Sequence, residues 1–182
     1  MIVAFEGLNG VGKTTLAVAV ALEVEGTYVA TPDVHAKDVK HLFEVEPFAI
    51  ASLLFYWSFV VRVSDVAQKD QNRIYVCDRY EWSTRSYFAA GGTDISWLVD
   101  TAPVTAADLV VVVSVAQEER MVRLSGRDRL RHVDELSLSP QFSASVEKSL
   151  DAVPNRLSIY GDRPIAENVS AVVFELKDRG LL

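Results

Sequence analysis

The stretch that decides the fold is Gly7-Leu8-Asn9-Gly10-Val11-Gly12-Lys13-Thr14, which matches the pattern G-x4-G-K-S/T. It follows an apolar segment, residues 1–5, that predicts a short strand, and it opens a segment, residues 13–24, that predicts a helix. Glycines let the backbone wrap so that its N–H groups point at phosphate oxygens, and the helix start adds the positive end of its dipole. The motif therefore predicts a phosphate-binding loop, or P-loop.

The same motif assigns chemistry to individual side chains. We expect Lys13 to place its charge on the β- and γ-phosphates of ATP and the Thr14 hydroxyl to bind Mg²⁺. A dinucleotide-binding Rossmann fold is excluded because the glycines do not have G-x-G-x-x-G spacing. The residues expected to contact ATP are Gly7, Asn9, Gly10, Val11, Gly12, Lys13, Thr14 and Thr15.

Composition sets the class of protein around this loop. The 182 residues are 49% hydrophobic and 24% charged, which predicts a single globular domain over residues 1–182. The net charge of −7 argues against nucleic acid and an anionic membrane surface as partners. The apolar run 47–61 is too short for a membrane span, and no signal peptide precedes the P-loop. With one cysteine, Cys77, and therefore no disulfide framework, we expect a cytoplasmic protein.

Strand and helix patterns alternate along the chain. Apolar or β-branched runs predict strands at 28–30, 73–78, 108–115 and 171–176, and the intervening segments predict helices at 36–45, 47–68, 82–88, 95–100 and 118–124. Such alternation predicts an α/β fold with a central parallel sheet covered on both faces, a three-layer sandwich.

The P-loop alone does not separate kinases from GTPases or motor ATPases. The guanine-reading motif Asn-Lys-x-Asp is absent from the chain, and a motor usually needs a larger domain, so a small-molecule kinase is the favoured class. Asp78-Arg79 ends a predicted strand, where Asp78 would serve the Mg²⁺ shell and Arg79 would grip an acceptor phosphate. The alternative for this pair is a salt-bridged surface turn.

An arginine cluster follows the valine-rich strand. Arg120, Arg123, Arg127, Arg129 and Arg131 crowd twelve residues, and four of them (120, 123, 127 and 131) would share one face if the segment were helical throughout. We interpret residues 120–142 as a short lid whose Arg123 and Arg127 neutralise the transferring phosphoryl group, because the P-loop carries no arginine. The alternative is a solvated helix whose arginines pair with nearby acidic residues.

Three segments together carry a family resemblance. Phe5 to Thr15, Leu53-Leu54-Phe55-Tyr56 and Cys77-Asp78-Arg79-Tyr80, the last followed by Ser83 and Tyr87, resemble the thymidylate kinase family of nucleoside monophosphate kinases over residues 1–131. The resemblance implies that Phe55 stacks on the acceptor base, Thr84 contacts its edge, Tyr87 lies against the sugar and Arg79 binds the acceptor phosphate. It also implies a homodimer, for which the long apolar helix offers an interface.

Three positions depart from the family pattern. Asn9 replaces an acidic residue associated with the acceptor 3′-hydroxyl and the metal, and Phe59 replaces an arginine that reads the thymine edge. Arg62, one turn further along the helix, is a candidate substitute for that arginine. The third departure is Ala30-Thr31-Pro32-Asp33, where Arg-Glu-Pro is expected.

These departures all lie on the acceptor side. The predicted function is therefore transfer of the ATP γ-phosphate to a nucleoside monophosphate, a modified or non-thymidine pyrimidine deoxynucleotide. One alternative is a nucleoside kinase. The other is a non-catalytic nucleotide-binding regulatory protein, suggested by Asn9 and by Ser114, where the family often has Asp.

Overall fold

The computed structural model describes residues 1–36, 38–43, 48–126 and 136–182. Five strands of this part of the chain form one sheet: β1 (Ile2–Glu6), β2 (Thr27–Ala30), β3 (Tyr75–Asp78), β4 (Leu109–Ser114) and β5 (Leu157–Tyr160). They lie in the order β2-β3-β1-β4-β5, and every pair is parallel. The predicted parallel sheet is confirmed.

Helices connect the strands and cover the sheet. They are α1 (Lys13–Glu23), α2 (Ile50–Lys69), α3 (Glu81–Ala90), α4 (Ser96–Thr101), α5 (Gln117–Ser125), α6 (Pro140–Asp151) and α7 (Ile165–Asp178). One hydrophobic cluster joins the sheet to α1 and α7, and a second joins its opposite face to α2 and α4. The three-layer α/β architecture expected from the sequence is therefore present.

Alternation along β1 shows why the sheet must be covered twice. Val3 and Phe5 belong to the cluster under α1, whereas Ile2 and Ala4 belong to the cluster under α2, and all four are at most 1% exposed. A strand buried on both faces needs apolar residues at every position, which is the pattern of parallel sheets. Burying it between two helical layers supplies much of the hydrophobic stabilisation.

The last predicted strand is wrong. Residues 171–176 lie within α7, where Asn168, Val172 and Leu176 are buried at helical spacing on one face. The actual last strand, β5, was missed because Ile159 is its only buried residue, so its sequence shows little apolar signal.

The segment between β2 and α2 also differs from expectation. In place of a helix over 36–45, the described residues contain two short 3₁₀ turns, Val34–Ala36 and Lys40–Leu42. Helix α2 begins at Ile50, after the predicted start at Pro47, which lies outside the described residues together with 37, 44–46 and 127–135.

Helix α2 is apolar and long enough, by length and composition, to cross a membrane, with a mean hydropathy of 1.4. However, it also packs in the core, where Leu53, Trp57, Val60 and Val63 join the second hydrophobic cluster. Trp57 Nε1 donates to the Ala102 carbonyl at 3.1 Å. These contacts are those of a core helix in a folded domain.

The strand order places the functional loops at one edge. The chain leaves β1 toward β2 on one side and reaches β4 on the other, so the direction of the crossovers reverses at β1. In open parallel sheets, ligands bind beyond the carboxyl ends of the strands at such a reversal. The P-loop after β1 and Asp78-Arg79 at the end of β3 lie at this edge.

Gly7 packs tightly against β4 of the sheet, and its substitution tests this contact. Its φ is +143°, and a Cβ there would lie 2.3 Å from the Val113 carbonyl oxygen. Gly7→Ala should lower the free energy of unfolding by about 3 kcal/mol or more, through backbone strain and overpacking together. Urea titration measures this change.

Gly92→Ala is the matched control for this substitution. Gly92 also has a positive φ, +83°, but nothing lies within 4 Å of its added Cβ. The control should therefore cost only about 1 kcal/mol of backbone strain. Equal losses at the two glycines would show that the contact with β4 is unimportant.

Candidate active site

The P-loop joins β1 to α1 through glycines with positive φ. Gly10 and Gly12 have φ of +88° and +99°, which residues with a side chain rarely adopt. Gly12 is also the N-cap of α1, where no side chain caps the helix and no acidic residue occupies the first turn. The first N–H groups of α1 are therefore available to an anion at the helix start.

Lys13 lies at the start of α1 and is only 6% exposed. Its Nζ donates to the Leu8 carbonyl at 2.6 Å, so the ammonium bends back across the P-loop. This places a positive charge over the P-loop, beside the start of α1. The structure therefore brings Lys13 close to the loop that Gly10 and Gly12 shape.

Thr14 and Asp78 come together although 64 positions separate them. The Thr14 hydroxyl donates to Asp78 Oδ2 at 2.5 Å, and the Tyr28 hydroxyl donates to the same oxygen at 3.3 Å. Burial and the neighbouring Asp78 raise the pKa of Tyr28 to about 12, so the phenol keeps its proton. A hydroxyl beside a carboxylate suits Mg²⁺, which takes oxygen ligands from one or two carboxylates, phosphates and water.

Arg79 lies across the crevice between the P-loop and α3. Its Nη1 donates to Ser83 Oγ at 2.8 Å and to the Gly7 carbonyl at 3.3 Å, and its Nη2 donates to Asn9 Oδ1 and, at 3.4 Å, to the Tyr87 hydroxyl. Burial disfavours the charge, but Tyr87, Asp78 and Glu6 outweigh it and raise the pKa of Arg79. The guanidinium is therefore a fixed cation beside the P-loop.

Glu6 supports Arg79 from beneath and is fully buried. One of its oxygens accepts from the Tyr80 backbone N–H at 3.0 Å, and the other accepts from the Ser83 hydroxyl. Burial raises the pKa of Glu6, whereas Ser83, the charge of Arg79 and the Tyr80 N–H oppose that rise. The side chain thus fixes the backbone that carries Arg79, whose own φ is +74°.

Two residues considered for the acceptor base, Phe55 and Phe59, form an aromatic wall with Phe43. Phe43 lies face to face with Phe55, with ring centroids 4.7 Å apart and planes 16° apart, and Phe59 meets Phe55 edge-on at 5.2 Å. Phe55 therefore has an aromatic partner where a base was expected to stack. Thr84 and Tyr87 are both buried on α3.

Tyr87 links the P-loop to α6, whereas Arg62 points away from the site. The Tyr87 hydroxyl accepts from the Asn9 backbone N–H at 3.0 Å, and its ring meets Phe142 of α6 at 5.7 Å. Arg62 is exposed on α2 and makes no polar contact within the described part of the chain. Arg62, which the sequence suggested as the residue that reads the base edge, thus points to solvent in this structure.

Only the base of the predicted lid lies within the described residues. Helix α5 ends at Ser125 with Gly126 as its C-cap, so the arginine cluster is not one continuous helix, and Arg127 lies outside the described residues. Arg123 donates to the carbonyls of Val11, at 3.4 Å, and Gly161, at 3.1 Å, and pairs with Glu119 at 2.8 Å. Here it holds α5 against the P-loop.

Comparison with known proteins identifies the family. Residues 5–170 match the family model described as thymidylate kinase. The chain belongs to the thymidylate kinase family. Members of this family are ATP-dependent nucleoside monophosphate kinases, so the chain is an enzyme of nucleotide phosphoryl transfer.

Relatives and solved structures agree with this assignment. Two archaeal proteins named probable thymidylate kinase match it. The one from Methanococcus aeolicus is 28% identical over 134 residues, 69% of this chain and 67% of the relative. The one from Methanocaldococcus jannaschii is 26% identical over 179 residues, 88% of this chain and 95% of the relative.

Two solved structures share the fold. Thymidylate kinase from Candida albicans superposes with a TM-score of 0.76 at 17% identity, covering 98% of this chain and 92% of its own. A deoxyadenosine kinase from M. mycoides gives 0.70 at 12% identity, covering 98% of this chain and 100% of its own. The fold thus occurs in kinases named for two different acceptors, and it does not choose between them.

Two residues of the site, Glu6 and Tyr28, received no role from the sequence, and Arg120 was named only as a member of the arginine cluster. Their partners are distant along the chain: the Tyr80 N–H for Glu6, Asp78 for Tyr28 and Gly10 for Arg120. A buried acid directly before Gly7 was a usable signal for Glu6. Tyr28 gave no comparable signal, because its position opposite Asp78 depends on the register of β2 with β3.

Glu6→Gln tests the buried carboxylate. Because burial raises its pKa above the ordinary 4.5, folded protein holds this proton to higher pH than unfolded protein does. The contribution of Glu6 protonation to the free energy of unfolding is therefore complete below pH 4.5, and it is lost as pH rises through the pKa of Glu6 in the folded protein. The stability of wild type relative to Glu6→Gln should fall with rising pH in urea titrations.

Glu118→Gln controls for the loss of one negative charge, since Glu118 is exposed at the start of α5. A difference between wild type and Glu6→Gln that stays constant from acid to neutral pH would contradict the role given to burial.

Proposed function

We propose that this family member transfers the γ-phosphate of ATP, with Mg²⁺, to a pyrimidine deoxynucleoside monophosphate other than thymidylate, or to a modified one. The observation that carries the proposal is the contact of Arg79 with Asn9 and Tyr87 beside the P-loop. A fixed cation there suits an acceptor phosphate, and the neutral amide leaves a sugar hydroxyl without the carboxylate that the family pattern places nearby.

The phosphoryl-transfer step needs positioning and charge more than covalent chemistry. Lys13 and the uncapped start of α1 would hold the β- and γ-phosphates, while Arg79 would hold the acceptor phosphate in line with them. Thr14 and Asp78 would hold Mg²⁺, which when bound spreads the charge of the β- and γ-oxygens. Tyr28 would keep Asp78 oriented toward this task.

Arg79 also favours a monophosphate acceptor over a nucleoside. A nucleoside kinase accepts onto a hydroxyl and has no acceptor phosphate to neutralise. Here the guanidinium is supported from Glu6 through Ser83, and its Nη2 faces Asn9 and Tyr87 beside the P-loop, where an acceptor phosphate would supply a further anionic partner. The geometry therefore supports the monophosphate.

The acceptor base is where thymidylate fits least well. An arginine at the base edge would give a charge-assisted hydrogen bond, but Phe59 packs against Phe55 at this position, and Arg62 is exposed. An apolar wall favours a bulkier or differently substituted base. A base that stacks on Phe55 must displace Phe43, so we infer that residues 38–43 move when the acceptor binds.

We infer further properties from the same site and fold. The proposal includes a single domain over residues 1–182 with a lid over about 120–142, in which Arg127, and Arg123 after exchange of its present bonds, reach the transferring group. Exposed apolar residues of α2, among them Ile50, Leu54 and Val61, support a homodimer through this helix. The buried free thiol of Cys77 agrees with a cytoplasmic location.

Lys13→Ala tests the phosphate site. Removing an ammonium from the transferring phosphates should lower kcat on the order of 10²–10³-fold and leave the circular dichroism spectrum unchanged. Lys148→Ala, on the exposed side of α6, is the matched control and should keep full activity. Activity of Lys13→Ala within threefold of wild type would refute the proposed site.

A panel of acceptors tests the specificity. We expect kcat/KM for thymidylate to lie below that for another or a 5-modified pyrimidine deoxynucleotide, with nucleosides inactive. Phe59→Arg should raise the thymidylate value roughly ten- to hundredfold by restoring a charged hydrogen bond. A hundredfold preference of wild type for thymidylate, lost in Arg62→Ala, would show that Arg62 reads the base and that the proposal is wrong. A panel with no active acceptor would favour a regulatory nucleotide-binding protein.

A further inference from the structure

Arg120 is a buried cation at the base of the lid. Its side chain lies in α5 and is 2% exposed. Nη2 donates to Ser143 Oγ at 3.0 Å, and Ser143 in turn donates to the Ser137 carbonyl at 2.7 Å. Nη1 is buried and has no hydrogen-bond partner, and no carboxylate of the described residues lies within ion-pair distance of the guanidinium.

Arg120 therefore has no ion-pair partner among the described residues. The guanidinium stays protonated in proteins, so it cannot escape burial by losing its charge. One neutral hydroxyl offsets little of the cost of taking a cation out of water. Glu147 lies one turn beyond Ser143 and forms no ion pair with Arg120. Burial raises the pKa of Glu147, and the charge of Arg120 opposes that rise. An anion that approached Nη1 would therefore be strongly attracted.

The position of Arg120 indicates which anion that is. A Cβ on Gly10 would lie 3.2 Å from Arg120 Cγ, so the arginine stem packs against the tip of the P-loop. The guanidinium lies beyond this Cγ, on rotatable bonds. On its other side, Phe142 next to Ser143 packs on Tyr87, whose hydroxyl binds the Asn9 N–H. Arg120 thus lies where the tip of the P-loop and α6 meet.

We propose that Arg120 is a phosphate-binding residue, whose Nη1 donates to the β- or γ-phosphate of the nucleotide at the tip of the P-loop. This inference rests on the proposed function, because it takes a nucleotide in the loop as given. Within the P-loop motif, residues 7–14, Lys13 is the only basic side chain. Arg120 supplies a second cation from α5, and the Ser143 hydroxyl keeps the guanidinium oriented while Nη1 engages the phosphate.

Binding measured without an acceptor tests this assignment free of turnover. Arg120→Met and Arg120→Gln both remove the charge, and glutamine retains an amide donor that keeps the variant folded if methionine does not. Calorimetric titration with adenosine, ADP and ATP, each in the presence of Mg²⁺, measures how the Kd depends on the number of phosphates. We expect a roughly ten- to hundredfold weaker Kd for ATP and an unchanged Kd for adenosine.

Arg156→Gln is the matched control. Arg156 also has a buried nitrogen without a partner, but it precedes β5 at the opposite end of the strands from the P-loop. The Arg156→Gln variant should bind ATP with the same Kd as wild type. The salt dependence of ATP binding should also become shallower in Arg120→Gln and stay unchanged in Arg156→Gln.

Two results would overturn the assignment. ATP affinity of Arg120→Gln within twofold of wild type would show that Arg120 does not touch phosphate. Equal losses for adenosine and ATP would show that it only joins α5 to α6. A wild-type protein that binds no ATP would overturn the proposed function as well, so the two failures are distinguishable.

Discussion

The Glu6 carboxylate ends the hydrogen-bond ladder between β1 and β3 by accepting the N–H that follows its last bond. The geometry of the site depends on this contact. The last bond of the ladder runs from the Arg79 N–H to the Phe5 carbonyl at 3.0 Å. Beyond it, Arg79 turns into the left-handed region, and Glu6 accepts the next N–H, that of Tyr80, in place of another strand carbonyl. The strained backbone at Arg79, costing about 1–2 kcal/mol, persists because the Phe5 carbonyl holds the Arg79 N–H and the Glu6 carboxylate holds the Tyr80 N–H that follows.

This contact of Glu6 also orders the charges of the site. Glu6 holds Ser83, Ser83 accepts from Arg79, and Arg79 reaches back to the Gly7 carbonyl of the P-loop. The P-loop and the segment that follows β3 are thereby held as one unit, so a displacement of one reaches the other. Positioning within a fraction of an ångström is what phosphoryl transfer demands of a protein, because the reacting groups bring most of the chemistry themselves.

Sequence reasoning reached the parts of the site that local pattern encodes. The P-loop and the strands before Gly7 and Arg79 are visible as glycine spacing and β-branched runs, and the structure brings Lys13, Thr14, Asp78 and Arg79 to one edge. Strand β5 and the 3₁₀ turns before α2 were not predictable, since a half-exposed strand and a short turn have no period to detect. The contacts of Arg120 depend on how α5 meets α6, which no local pattern encodes.

Asn9 and Arg120 both make the charge around the P-loop more positive. Relative to the family pattern, Asn9 removes a negative charge from the loop, and the proposed role of Arg120 adds a positive one beside Gly10. The chain as a whole carries −7, so this local balance cannot come from a generally basic surface. Because Coulomb interactions strengthen where water is excluded, such a shift acts most on the phosphates at the loop tip. It favours a site that holds polyphosphate by charge and leaves recognition of the acceptor sugar to Tyr87 and the Asn9 amide, which can donate where a carboxylate cannot.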